Sequence, residues 1–312
     1  MAIFDNANYD FIKWRWHAIA LSALVIVAGI AYGIAKGVPL GIDFSGGTIV
    51  VVKFEQPTSV DQVRSALAAG MSGENVIQSY GDEANNEILI RVPQLVEEEG
   101  AALEQNARAI VDSISKANLG KFEVRSQEIV GPVIGADLQR KGIYATLASL
   151  IGITIYIGLR FRFAFALGAI AATLHDVFVT LAFLFFFGYD LSLNVVAAIL
   201  AITGYSVNDT IVIFDRVREN LKSKRRDSLD TVVNLSVNQT LSRTIITAGT
   251  TFLAVLSLYL FGGEVLEGFA FTMLVGIVSG TYSTIFIAAA IATVLSGKQA
   301  KARTTAGARK TS

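Results

Sequence analysis

The chain has 312 residues, of which 53% are hydrophobic and only 17% charged, and its mean hydropathy is +0.53. Soluble domains carry nearer a quarter charged residues, so the composition points to a bilayer as solvent. Lys+Arg and Asp+Glu balance at 26 each, so net charge says nothing about a nucleic-acid partner and none is expected, and the lack of cysteine excludes disulfides, thiolate metal sites and a thiol nucleophile.

A helix needs about 20 mainly apolar residues to cross the hydrocarbon core. The first such run is His17 to Lys36, and the second lies between Lys141 and Arg160. Arg162 opens a third that ends near Phe187 and carries His175 and Asp176 within it. Leu191 to Phe214 is the fourth, interrupted by Asp209; Thr244 to Gly263 is the fifth. The sixth runs from Gly268 towards Lys298, long enough to tilt or to include a short re-entrant or interfacial turn. The first run is longer than a signal-peptide core, so it is expected to stay as an anchor.

Loop charge sets the orientation. Lys13 and Arg15, then Arg160 and Arg162, then the six cations between Arg216 and Arg226, then the basic tail all fall on one side. The opposite loops, Gly188 to Asp190 and Gly262 to Glu267, carry no Lys or Arg. Both termini are therefore expected in the cytoplasm.

Between the first two spans the composition turns soluble. Thr48–Phe54, Val76–Tyr80, Glu87–Val92 and Phe122–Val130 read as strands. A short helix capped by Ser59 or Asp61, and a longer one over Val96–Ala117 with Leu103, Ala107, Ile110 and Ile114 on one face, complete a β-α-β-β-α-β order. That order is the ferredoxin-like pattern. The expected layout is a cytoplasmic segment 1–16, a first span 17–36, an extracytoplasmic α+β domain 37–139, a helical bundle 140–297 and a basic tail 298–312. Met1–Asn8 and Gly297–Ser312 read as disordered, the tail either solvated or lying on anionic lipid.

Ionisable groups inside membrane helices cost roughly 2.5–3.5 kcal/mol each on the insertion scale, which makes them functional candidates. Asp209 stands beside Ser206, Asn208 and Thr210 on the fourth span; Arg243 starts the fifth, with Thr247, Thr250 and Thr251 following at helical spacing as one polar stripe. Antiparallel packing of these consecutive spans puts Asp209 and Arg243 both in the cytoplasmic half, where they could meet. They form either a structural ion pair or a proton site in which Arg243 tunes Asp209, and on residues alone the two readings balance. His175 and Asp176 read as packing or hydrogen-bonding groups ahead of a relay. Gly276-x-x-x-Gly280 permits close helix approach. Phosphate loops, zinc spacings and nucleophile elbows are not found, so no metal, cofactor or enzymatic activity is expected.

Three blocks carry a family resemblance. Gly41-Ile42-Asp43-Phe44-Ser45-Gly46-Gly47-Thr48 follows the first span, Val130-Gly131-Pro132-Val133-Ile134-Gly135 precedes the second, and GYSVNDTIVIFDRVREN occupies Gly204 to Asn220 with Ser242-Arg243-Thr244 after it. Together they make the chain resemble the SecF family of the bacterial SecD–SecF export complex, within the RND-like superfamily. The resemblance implies a six-helix half that pairs with SecD, associates with SecYEG and with YajC in the inner membrane, and uses the proton motive force to draw out unfolded exported polypeptide. It also implies that Asp209 and Arg243 are the proton-coupling residues. Half of a small-molecule or lipid exporter, or a scaffold for the channel, are the alternatives. The glycines and Asp43 of the first block are expected to serve a tight exit from the first span, with Asp43 in a local turn bond.

Overall fold

The computed structural model describes residues 8–68, 75–80, 85–93 and 100–296. The tail beyond Ser296, Met1–Ala7, most of the polar turn after Tyr80, the start of the helix expected from Val96 and the side chain of Leu103 lie outside the described residues.

Among the described residues six helices are long and apolar enough to cross a membrane: Ile12–Lys36, Val133–Arg160, Phe163–Phe187, Leu193–Ser223, Leu229–Phe261 and Val265–Ser296. They comprise α1 (Arg15–Lys36, after a 3₁₀ turn), α5 (Pro132–Arg160), α6 (Phe163–Phe187), α7 (Leu193–Ser223), α8 (Leu229–Phe261) and α9 (Glu264–Ser283 with its continuation). Short polar breaks and uncharged apolar runs at a 1.5 Å rise dictate this antiparallel series. The interior is built from α6, α7 and α9, whose membrane windows are the most covered; those of α1, α5 and α8 are the least, and their apolar faces point outward.

Two helices outrun their hydropathy. α7 passes Phe214 to reach Ser223, and α8 begins at Leu229, fifteen residues before Thr244. These extensions are amphipathic rather than uniformly apolar: Val217, Val232, Val233 and Val237 are buried, and Asn220 donates to Ser236 Oγ and Gln239 Oε1 at 2.9 and 2.8 Å. Ser228 caps α8, accepting from the Thr231 N–H at 3.2 Å. The last span holds no re-entrant turn. It widens to a π turn at Thr284–Ala288 and continues to Ser296.

The soluble insert carries β1 (Gly47–Phe54), α3 (Val60–Ala68), β2 (Val76–Tyr80), β3 (Glu87–Pro93), α4 (Gly100–Lys116) and β4 (Phe122–Val130). Its sheet has the order β2-β3-β1-β4, every neighbour antiparallel. Val50, Val52 and Phe54 of β1 alternate towards the helices and meet Val63 and Leu67 of α3 and Ile110 and Ile114 of α4 in one core. Ser59 and Gln62 form a reciprocal capping box on α3: the Ser59 N–H donates to Gln62 Oε1 at 2.9 Å, and the Gln62 N–H donates to Ser59 Oγ at 3.3 Å.

The segment joining α1 to the sheet is docked on the bundle. Gly41 N–H donates to Leu191 O at 2.7 Å and Leu191 N–H donates to Pro39 O at 2.8 Å, a strand-like bridge to the α6–α7 turn. A short helix, α2 (Ile42–Ser45), follows and ends on Gly46 and Gly47, at φ +72° and +136°. Side chains are strained at those angles, so both positions require glycine. The first turn of α5 packs on α2: a Cβ at Gly135 would lie 3.2 Å from Phe44 O, and Pro132 takes the first position after N-cap Gly131.

Candidate functional site

The polar residues of the bundle sort into two groups about two carboxylates. Asp176, on α6, is 1% exposed. Its Oδ2 accepts from Ser206 Oγ at 2.6 Å and Ser283 Oγ at 2.7 Å; its Oδ1 accepts from Ser279 Oγ at 2.7 Å and faces His175 Nδ1 at 3.0 Å. One buried carboxylate thereby ties α6 to α7 and α9, its acceptor capacity used on both oxygens. His175 is itself buried and lies against Tyr282 at a 6.0 Å centroid distance, while Tyr282 donates to Ala18 O at 2.7 Å and so reaches α1. With Nδ1 turned to Asp176, His175 Nε2 is buried without a partner among the described residues.

Asp209, nearly one turn beyond Ser206 on α7, is 5% exposed and its Oδ2 has no hydrogen-bond partner among the described residues. Thr210 beside it donates to Ser206 O at 3.2 Å and meets Thr284 Oγ1 at 3.0 Å, at the first residue of the π turn. Asn208 is exposed and stands apart from this group. Thr284, the first residue of the π turn, meets Thr210 directly after Ser283 reaches Asp176.

Arg243 lies on the exposed side of α8, within electrostatic reach of Asp209, and no ion pair closes between them. The polar stripe below it does not bond across helices. Thr247, Thr250 and Thr251 donate to the carbonyls of Arg243, Ile246 and Thr247 at 2.9, 2.9 and 3.0 Å, within their own helix. Among the described residues those hydroxyls bond only to their own helix backbone, although α8 packs on α9 through Ala248 and Val255.

Gly276 and Gly280 face α7. A Cβ at Gly276 would enter the Ile202 side chain, and one at Gly280 would lie 3.0 Å from the Ser206 Cβ. The small-residue pair therefore lets α9 approach α7 closely enough for Ser279 and Ser283 to reach Asp176.

Asp43 makes no local turn bond. Its Oδ2 accepts from the Leu193 N–H at 2.8 Å, 150 residues away, at the first residue of α7. Arg91 on β3 closes an ion pair with Asp190 in the same turn. Tyr189 donates to Glu267 Oε1 at 2.5 Å and meets Tyr259 Oη at 3.2 Å; burial and the bond to Glu267 raise its pKa well above the ordinary tyrosine value. Sequence reasoning did not foresee Ser279, Ser283, Thr284, Arg91 or Asp190 as part of these sites. The signal available for the first three was their small, hydroxyl-bearing cluster in an apolar span.

The chain is similar to known proteins of one family. Residues 110–298 match the family described as protein export membrane protein SecD/SecF, C-terminal, and residues 33–58 match the SecD/SecF GG motif, which contains the docked Gly41–Thr48 segment. A protein translocase subunit SecF from Desulfurispirillum indicum is 45% identical over 89% of this chain and 88% of its own length. A SecF from Escherichia coli O157:H7 is 39% identical over 93% and 89%. A crystal structure of SecDF, a translocon-associated membrane protein from Thermus thermophilus, superposes with a TM-score of 0.81 at 35% identity, covering 96% of this chain and 40% of that one. This chain thus spans well under half the length of the SecDF protein it matches. By residues, length and fold together, the chain belongs to the SecF family of protein translocase subunits.

Proposed function

We propose that this chain is the smaller membrane subunit of a Sec export machine, and that with a SecD partner and the SecYEG channel it uses the proton motive force to assist late translocation of unfolded preproteins. Both termini lie in the cytoplasm of a cell whose inner membrane holds the bundle, and the sheet domain, a ferredoxin-like β-α-β-β-α-β unit, stands outside. The loop cations support this orientation, and the order β2-β3-β1-β4 supports the domain assignment.

The observation that carries the proton reading is the contrast between the two buried carboxylates. Asp176 has its oxygens satisfied by three serines and an imidazole, whereas Asp209, also buried, keeps an orphaned oxygen. A carboxylate without donors, within reach of a cation on an unpartnered helix face, is the group free to gain and lose a proton as its surroundings change. Asp209 is the proton carrier and Arg243 the cation that modulates it; Asp176 fixes the helices around them. One charge moved through 100 mV supplies roughly 2.3 kcal/mol, enough to bias a two-state element acting on an already unfolded chain.

The test is gradient-dependent release of a late export intermediate in inner-membrane vesicles carrying Asp209→Asn or Arg243→Ala. Both variants are expected to assemble and to lose the gradient-dependent component. Undiminished gradient-dependent release, with normal assembly, would refute the proton reading and leave a scaffold.

A further inference from the structure

A cavity of about 650 Å³ opens at the end of the bundle opposite the sheet domain, between the α5–α6 turn and the end of α7. It is lined by Arg160, Arg162, Arg218, Lys222 and Arg225, over a floor that includes Phe165 and Phe214. No carboxylate lines it. Arg160 has its own counter-charge in Asp215, which accepts from it on both oxygens at 2.7 and 2.8 Å. Arg162, Arg218, Lys222 and Arg225 have no ion-pair partner among the described residues. Arg218 and Lys222 stand at i and i+4 on one face of α7, and Arg225 lines the same cavity from the turn that follows the helix.

Like charges gathered this way repel one another unless an anion is shared between them. The backbone reinforces the same sign. Arg162 is the N-cap of α6, and a guanidinium cannot accept a hydrogen bond, so the first N–H groups of that 25-residue helix lack a side-chain cap.

The level of the cavity identifies the anion. The second span ends at Arg160 and the third begins at Phe163, so the cations stand at the membrane boundary. Directly beside them Leu159 and Phe163 are 86% and 68% exposed, apolar side chains turned outward where hydrocarbon would cover them. A free phosphate would satisfy the cations and leave that wall bare; a molecule with an anionic head and acyl chains fits both. We infer that this cavity is a binding site for an anionic glycerophospholipid, with the phosphate among Arg162, Arg218, Lys222 and Arg225 and the chains along Leu159 and Phe163. The site rests on the membrane insertion of the spans and not on the proton chemistry of Asp209, so each stands or falls alone.

Delipidated full-length protein in mild detergent is titrated with fluorescent phosphatidylglycerol, and with phosphatidylcholine carrying the same label. Phosphatidylglycerol is expected to saturate a single site that phosphatidylcholine does not occupy. Each basic residue near an anionic lipid surface contributes about 1 kcal/mol, so Arg218→Gln with Lys222→Gln is expected to weaken phosphatidylglycerol roughly 25-fold. The control, Arg216→Gln with Lys224→Gln, removes the same charge from residues that do not line the cavity, and is expected to leave the affinity as it was. Thermal unfolding of both variants checks that they fold. Equal loss in the two variants, equal binding of the two lipids, displacement of the lipid by millimolar inorganic phosphate, or stronger binding of an acidic peptide than of phosphatidylglycerol would each overturn the assignment.

Discussion

Replacing Asp176 by alanine separates the two carboxylates by what each holds together. The change strands three serine hydroxyls and the Nδ1 of His175 inside the bundle. A hydrogen bond to a charged group contributes about 1.5–3 kcal/mol, so three serine bonds give an upper figure of about 5–9 kcal/mol. Two terms reduce it. Ser283 already has a second acceptor in Gly280 O at 3.2 Å, and serine hydroxyls can turn to their own helix carbonyls. Removing the carboxylate also recovers the cost of burying a charge. The net expectation is about 2–4 kcal/mol of destabilisation. The converse triple change, Ser206→Ala with Ser279→Ala and Ser283→Ala, leaves the buried carboxyl with only His175 beside it and is expected to cost more, about 3–5 kcal/mol. Asp209→Asn abolishes no hydrogen bond seen at Asp209 Oδ2, so its effect on folding is expected to stay within about 1 kcal/mol. Equilibrium unfolding in mixed micelles, followed by far-ultraviolet circular dichroism, ranks the three. An Asp209→Asn loss equal to that of Asp176→Ala, or a neutral Asp176→Ala, would refute the division of roles.

Two further outcomes test the packing. Arg91→Ala breaks a half-buried ion pair between the sheet and the α6–α7 turn; a loss of about 1–2 kcal/mol should speed hydrogen exchange at the Gly41 and Leu191 amides, with the swap Arg91→Asp/Asp190→Arg restoring protection, and unchanged exchange would show that the pair holds nothing. Gly276→Ala drives a Cβ into Ile202 and is expected to cost about 1–3 kcal/mol, whereas Gly152→Ala on α5, where a Cβ meets nothing within 4 Å, should gain about 0.5–1 kcal/mol in the isolated protein; micelle unfolding that fails to separate the two would sink the close-approach reading.

What the sequence could and could not reveal follows from the range of each interaction. Strands such as Thr48–Phe54 and the six apolar runs are written in consecutive residues, and Asp209 stands out because a charge interrupts one of those runs. The partners of Asp176 are 30, 103 and 107 residues away, and no local pattern marks them. The same distance hides the role of Asp43, which reads locally as a turn residue and is in fact the acceptor for the start of α7. Hydropathy also stops short wherever a helix leaves the hydrocarbon. α7 and α8 continue as an amphipathic hairpin because Val217, Val232 and Val237 keep one buried face after the apolar run has ended. The threonine stripe shows the opposite limit: its spacing places the hydroxyls on one face, but with no helix against that face they bond inward.

The position of Asp43 gives the GG-motif segment a mechanical meaning. Asp209 lies sixteen residues beyond Leu193, about 24 Å along α7. At its far end the helix is gripped by a carboxylate, and the turn before it by a strand-like bridge and an ion pair, all from the sheet domain or the segment leading into it. Gly46 and Gly47 then turn that segment directly into β1, the strand paired on both sides at the centre of the sheet. Under the proposed proton reading, a movement of α7 starting at Asp209 would reach the middle of the sheet domain rather than its edge, because β1 bonds to both of its neighbours.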